Sequence, residues 1–157
     1  MSSIDDATAR HESERRNSAI YPRLAYHDEY AALEWLERVF GFQERRESRM
    51  GGPPDHMLAW LDFGDGVVMI AAAGPEHHDI SSPLDTGGRF TAMINVYVHD
   101  IDAHYARAVD QGATIVMALE DAFYGFRRYE ALDLEGHKWH FFESFADIRA
   151  RGGQVDE

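Results

Sequence analysis

The chain has 157 residues, 45% of them hydrophobic and 12% aromatic, which suits one domain or two halves sharing a core and is too apolar for disorder. Fifteen Lys and Arg stand against 28 Asp and Glu, a formal charge of −13 that disfavours nucleic acid and anionic membrane surfaces as partners. The absence of cysteine excludes disulfides, thiol nucleophiles and thiolate metal sites.

Residues 1–18 are polar and charged, lack the apolar stretch of a secretory signal, and read as a mobile tail on a cytoplasmic protein. No apolar run approaches the ~18 residues of a membrane span. The first strand is expected over Ile20–His27, with Asp28 as helix N-cap behind it. Ala32, Trp35, Leu36, Val39 and Phe40 then recur at helical spacing, and Gly41 sits where a C′ glycine ends a helix. A charged stretch, Gln43–Met50, and a Gly-Gly-Pro-Pro loop lead to strands at Met57–Phe63 and Val67–Ala73, joined by a Gly-Asp-Gly turn. Residues 74–90 have the Gly, Pro, Ser and Asp content of a loop. The pattern then returns: a strand over Thr91–Val98, Asp100 as cap, a stripe of Ile101, Tyr105, Ala108 and Val109, and Gly112 as stop. Strands follow at Thr114–Leu119, Phe126–Leu132 and His137–Ser144. The two caps lie 72 residues apart, and the cap-to-stop distances, 13 and 12 residues, nearly match, which argues for a structural repeat.

Several segments carry a family resemblance. Phe40-Gly41-Phe42, His99–Tyr105, Gln111-Gly112-Ala113, Tyr124–Arg127 and Asp133–Trp139 resemble, in order and spacing, motifs of the vicinal-oxygen-chelate superfamily, which includes glyoxalases, bleomycin-resistance proteins and extradiol dioxygenases. The Tyr-Gly-Phe-Arg and Asp-Leu-Glu-Gly-His-Lys-Trp segments resemble its PhnB-like branch, with Leu134 in place of the usual proline. The resemblance implies an α+β fold of two βαβββ modules forming a curved mixed sheet around a cavity, helices on the convex side. The modules would occupy residues 19–73 and 91–145, joined by the linker 74–90 and followed by a tail, 146–157. It also implies a homodimer.

Metal-dependent members of that superfamily take ligands from the first and fourth strands of each half. Carried over by position, these sites fall on Tyr21, Ile70, Met93 and His140. Ile70 and Met93 cannot hold a hard divalent ion and Tyr21 is a poor ligand, so neither metal nor other cofactor is expected. Strand alternation from the same positions gives a ligand-binding wall of Tyr21, Arg23, Ile70, Met93, Asn95, Tyr97, Lys138, His140 and Phe142. Aromatic surface with a few cationic and amide groups suits a planar organic molecule carrying an oxygen or carboxylate. Arg127 could reach the cavity mouth, whereas Asp102, His104 and Asp110 read as the solvent face of the second helix. His77 and His78 read as a solvated loop.

Two readings of function stand side by side. One is a metal-free binding protein that sequesters a small planar compound, as in resistance. The other is an enzyme, a lyase or isomerase using His140 as catalytic base, or a metalloenzyme with relocated ligands His27, His140 and a carboxylate.

Overall fold

A computed structural model of the chain describes residues 18–156, so the expected N-terminal tail lies, apart from Ser18, outside the described residues. The described residues divide into two compact units, with the boundary between Gly88 and Arg89, and each carries its own sheet.

In the first unit, β1 (Arg23–Tyr26) leads to a helix, α1 (Glu29–Trp35), that continues as a π-helical turn over Leu36–Phe40. The Asp28 carboxylate accepts from the Ala31 backbone N–H, satisfying one of the donors a helix start leaves open. Gly41 ends the run in the left-handed region, φ 78°, and its N–H returns to the Leu36 carbonyl. Two strands of two residues each, β2 (Gln43–Glu44) and β3 (Met50–Gly51), lie in the charged stretch, followed by β4 (Met57–Phe63) and β5 (Gly66–Ala72). The order is β1-β5-β4-β2, with β3 paired to β4. Only the β1–β5 pair is parallel, as a helical crossover requires.

The second unit repeats this plan with β6 (Ile94–Tyr97), α2 (Ile101–Asp110), β7 (Thr114–Ala122), β8 (Phe126–Leu132) and β9 (Lys138–Ser144), in the order β6-β9-β8-β7. The α+β fold and the βαβββ repeat expected from the sequence are thus present. Asp100 caps α2 through the Ala103 N–H. β7, an edge strand of nine residues, is broken by register shifts between Ile115 and Met117 and again between Met117 and Glu120. The C-terminal stretch forms a helix, α3 (Phe145–Ala150), capped by the Ser144 hydroxyl.

Each sheet has one face under its helix. In the first unit that face holds Tyr26, Ala59, Leu61, Ile70 and Ala72, buried with Leu36, Val39 and Phe40 of the α1 run. Each large side chain so buried contributes about 1.5–3 kcal/mol. In the second unit Tyr129, Ala131, Trp139 and Phe141 are fully buried, together with Ile101 and Ala108 of α2 and Ile148 of α3. Val109, placed in the apolar stripe by its spacing, is instead half exposed. His104 is not on a solvent face: its ring packs, tilted, against Phe141 at 4.4 Å and its Nδ1 lies 2.7 Å from the Tyr129 hydroxyl.

Candidate functional site

Pairing in the second unit fixes which side chains share the uncovered face. Asn95 stands beside His140 and Tyr97 beside Phe142 across β6 and β9. Across β8 and β9, Glu130 stands beside His140, Arg128 beside Phe142 and Leu132 beside Lys138. Asn95, Tyr97, Lys138, His140 and Phe142 therefore lie on one face, the register that alternation predicts. Met93 precedes β6 and is exposed.

A hollow of about 190 Å³ opens on this face, lined by Asn95, Tyr124, Phe126, His140 and Phe142. Its walls are aromatic: the Phe126 and Phe142 rings meet edge-on at 5.7 Å, and Tyr97 meets Phe142 at 5.3 Å. Tyr97 is fixed from behind, because its hydroxyl bonds both the Ser144 hydroxyl and the Asp147 carboxylate of α3. The volume is below the ~300–1,000 Å³ usual for drug-sized ligands, so the hollow takes a ring or two rather than a large molecule.

The polar side of the hollow rests on a carboxylate that the sequence did not reveal. Glu130 accepts from Lys138 Nζ at 2.7 Å and contacts His140 Nδ1 at 3.1 Å. Burial pushes its pKa up, but hydrogen bonds from Lys138 and His140 outweigh this and hold it below the ordinary carboxylate value. Lys138, expected to meet a ligand, is thus committed to Glu130. Arg127 stands opposite Glu143 on the helix-covered face, bonded to Asp121 and Asp102, and does not reach the hollow. No local motif marks Glu130, which sits in an ordinary strand, Phe-Arg-Arg-Tyr-Glu-Ala-Leu; only cross-strand pairing joins it to His140.

In the first unit Arg23 pairs with Met69, whereas Ile70 pairs with Leu24. Ile70 is therefore one residue out of register for the uncovered face: it lies fully buried under α1, and Met69 takes its place beside Arg23 and Trp60. Val67–Ala73 is a continuous apolar run, which gives no alternation from which to choose a face. Arg23 Nε is buried and makes no hydrogen bond among the described residues. An unsatisfied guanidinium N–H is costly, which makes this position receptive to an anionic oxygen. Tyr21 lies just before β1.

Two larger hollows, each of about 410 Å³, lie near α1 and β2. Ion-paired side chains such as Arg49–Glu44 and Arg45–Asp62 line them, with no aromatic wall like that of the second unit, so they are weaker candidates despite their size.

Residues 22–141 match the family described as the Glyoxalase/Bleomycin resistance protein/Dioxygenase superfamily. The chain belongs to this superfamily. TioX from Micromonospora sp. ML1 is 34% identical, with a TM-score of 0.62 over 89% of this chain and 99% of that one. An uncharacterized protein of Mycobacterium bovis is 32% identical over 133 residues, 83% of this chain and 86% of its own. A glyoxalase/bleomycin resistance protein/dioxygenase family enzyme from Burkholderia phytofirmans PsJN, 22% identical, covers 79% of this chain and 96% of its own at a TM-score of 0.60, and shares the fold.

Metal-dependent members of the glyoxalase superfamily require four donors that these positions do not offer. The first unit presents the Tyr21 phenol and, with the register corrected, the Met69 thioether; the second presents the Met93 thioether and His140. Only His140 is a competent ligand for a hard or borderline divalent ion, and its Nδ1 is held by Glu130. The relocated set fares no better. His27 pairs with Asp85 at 2.7 Å, and among the described residues no three His, Asp or Glu side chains converge as a metal ion would need.

Proposed function

We propose that this superfamily member binds a small planar organic molecule without a metal and sequesters it, as a resistance or carrier protein does. The observation that carries the reading is the hollow on the second unit's uncovered face, with Tyr124, Phe126 and Phe142 as walls and Asn95 and His140 as polar contacts. Aromatic walls suit a flat π-system, and two polar groups suffice to orient it. The Tyr-Gly-Phe-Arg and Gly-His-Lys-Trp segments favour the PhnB-like branch, and we further propose a cytoplasmic homodimer, which light scattering would test through the particle mass.

The binding reading is tested by titrating the intact protein with one- and two-ring aromatic compounds while following heat. A hit should bind in the micromolar range, and Phe142→Ala should weaken it about tenfold, ~1.4 kcal/mol. Absence of any binding, or an undiminished affinity in Phe142→Ala, would remove the hollow as the site.

The Glu130–His140 bond favours a second reading, in which His140 acts as a general base in a lyase or isomerase step. Turnover of a bound compound that His140→Gln abolishes without loss of affinity would select it over sequestration.

A further inference from the structure

Carboxylates accept hydrogen bonds and do not donate them when ionised, so the geometry around Glu130 dictates which His140 nitrogen carries the proton. Glu130 is held as a carboxylate by Lys138 Nζ at 2.7 Å, and its Oε1 lies 3.1 Å from His140 Nδ1. Nδ1 is therefore the donor. In the neutral ring Nε2 is then an acceptor, and among the described residues nothing donates to it. Both side chains are mostly buried, His140 at 13% exposure and Glu130 at 16%, so water competes weakly for the bond between them. A ring contact holds it as well: His140 meets Phe142, itself a wall of the hollow, in a tilted arrangement with centroids 5.8 Å apart.

We propose that Glu130 is a positioning residue that locks His140 in the Nδ1–H form, so that the hollow selects planar molecules bearing a hydroxyl or N–H donor aimed at Nε2. The selection rests on the binding reading above but adds a specificity that aromatic walls alone do not supply. A ring hydroxyl donates to Nε2 and remains a hydroxyl; its methyl ether, nearly the same in shape, has no proton to give and leaves the acceptor bare. A site built to hydrogen-bond a ligand group discriminates strongly against the analogue that lacks it. Asn95, beside His140 across β6, offers an amide that both donates and accepts and serves a second polar group on the same ring system.

The experiment has two arms on the full chain. In the first, long-range proton–nitrogen NMR at neutral pH reads the His140 ring nitrogens without any ligand. The expected result is a protonated, pyrrole-like Nδ1 and a bare, pyridine-like Nε2 in the wild type, with the two forms mixed in Glu130→Ala. A wild-type ring with the proton on Nε2, or a Glu130→Ala spectrum unchanged from wild type, overturns the positioning role. In the second arm, naphthol and methoxynaphthalene are titrated into wild type and Glu130→Ala, with Glu130→Asp as a control for loss of folding. Naphthol should bind at least tenfold more tightly than its methyl ether to the wild type, and that preference should shrink toward unity in Glu130→Ala. Equal affinities in the wild type overturn the donor selection. Failure of both compounds to bind also overturns it and defeats the aromatic-ligand reading, whereas the NMR arm still decides what Glu130 does to His140.

Discussion

Gly51 stands in β3 with φ of +79°, and a Cβ built there would come within 2.3 Å of the His56 carbonyl oxygen. Left-handed backbone alone costs a non-glycine residue about 1–3 kcal/mol, and the contact with main chain leaves nothing flexible to move aside. Gly51→Ala should therefore lower the unfolding free energy by about 2–4 kcal/mol, read from urea denaturation. An unchanged midpoint would mean that β3 is dispensable. At this same scale the sequence was partly legible. Asn95, Tyr97, Lys138, His140 and Phe142 share a face because β6 and β9 alternate, whereas Ile70 was misplaced because β5 is apolar on both faces. Glu130 and the ion pairs of Arg127 depend on which residues a neighbouring strand brings alongside, and no single segment encodes that.

The C-terminal helix is tied down by charge. Arg151, the residue after α3, donates to the Glu143 carboxylate, to Asp102 at 2.7 Å and, less closely, to Asp100; Arg127 bonds Asp102 and Asp121 and also reaches the Gln154 carbonyl. Glu143 is 1% exposed and also accepts from the Ile101 N–H, so one carboxylate joins β9, the start of α2 and the end of α3. Glu143→Ala would strand a helix-terminal N–H and part of a guanidinium, costing about 2–4 kcal/mol in a denaturant titration. Burial raises the Asp102 pKa, but hydrogen bonds from Arg151 and Arg127 carry it below its ordinary value; at Asp121 the Arg127 bond dominates and does the same. A carboxyl depressed on folding stabilises the native state above its unfolded pKa and loses that contribution as pH falls through the native one. Stability should thus hold at neutral pH and decline below about pH 4, with a shallower decline in Arg127→Gln. Equal slopes for the two proteins would assign acid sensitivity elsewhere. The Asp caps and glycine stops made both crossover helices readable in advance, but β2 and β3 are two residues each and carry no pattern of their own, and α3 is too short for a helical stripe.

Over the whole chain the charge of −13 is not cancelled by the ion pairs, which occupy close, partly buried positions and leave a surplus of carboxylates at the surface. Raising salt from about 10 mM to about 100 mM shortens the screening length from ~30 Å to ~10 Å, which weakens long-range repulsion far more than contacts near 3 Å. The melting temperature should therefore rise by a few degrees with salt; a fall would show that the ion pairs outweigh the surplus. The same surplus bears on how the molecule behaves when concentrated. β7 is a nine-residue edge strand with Val116 exposed, the kind of border along which sheets of separate molecules zip together. Its two register breaks put the free amides and carbonyls out of step with any regular incoming strand. The irregularity of that strand thus works against edge-to-edge pairing of separate copies, the first step of fibre growth.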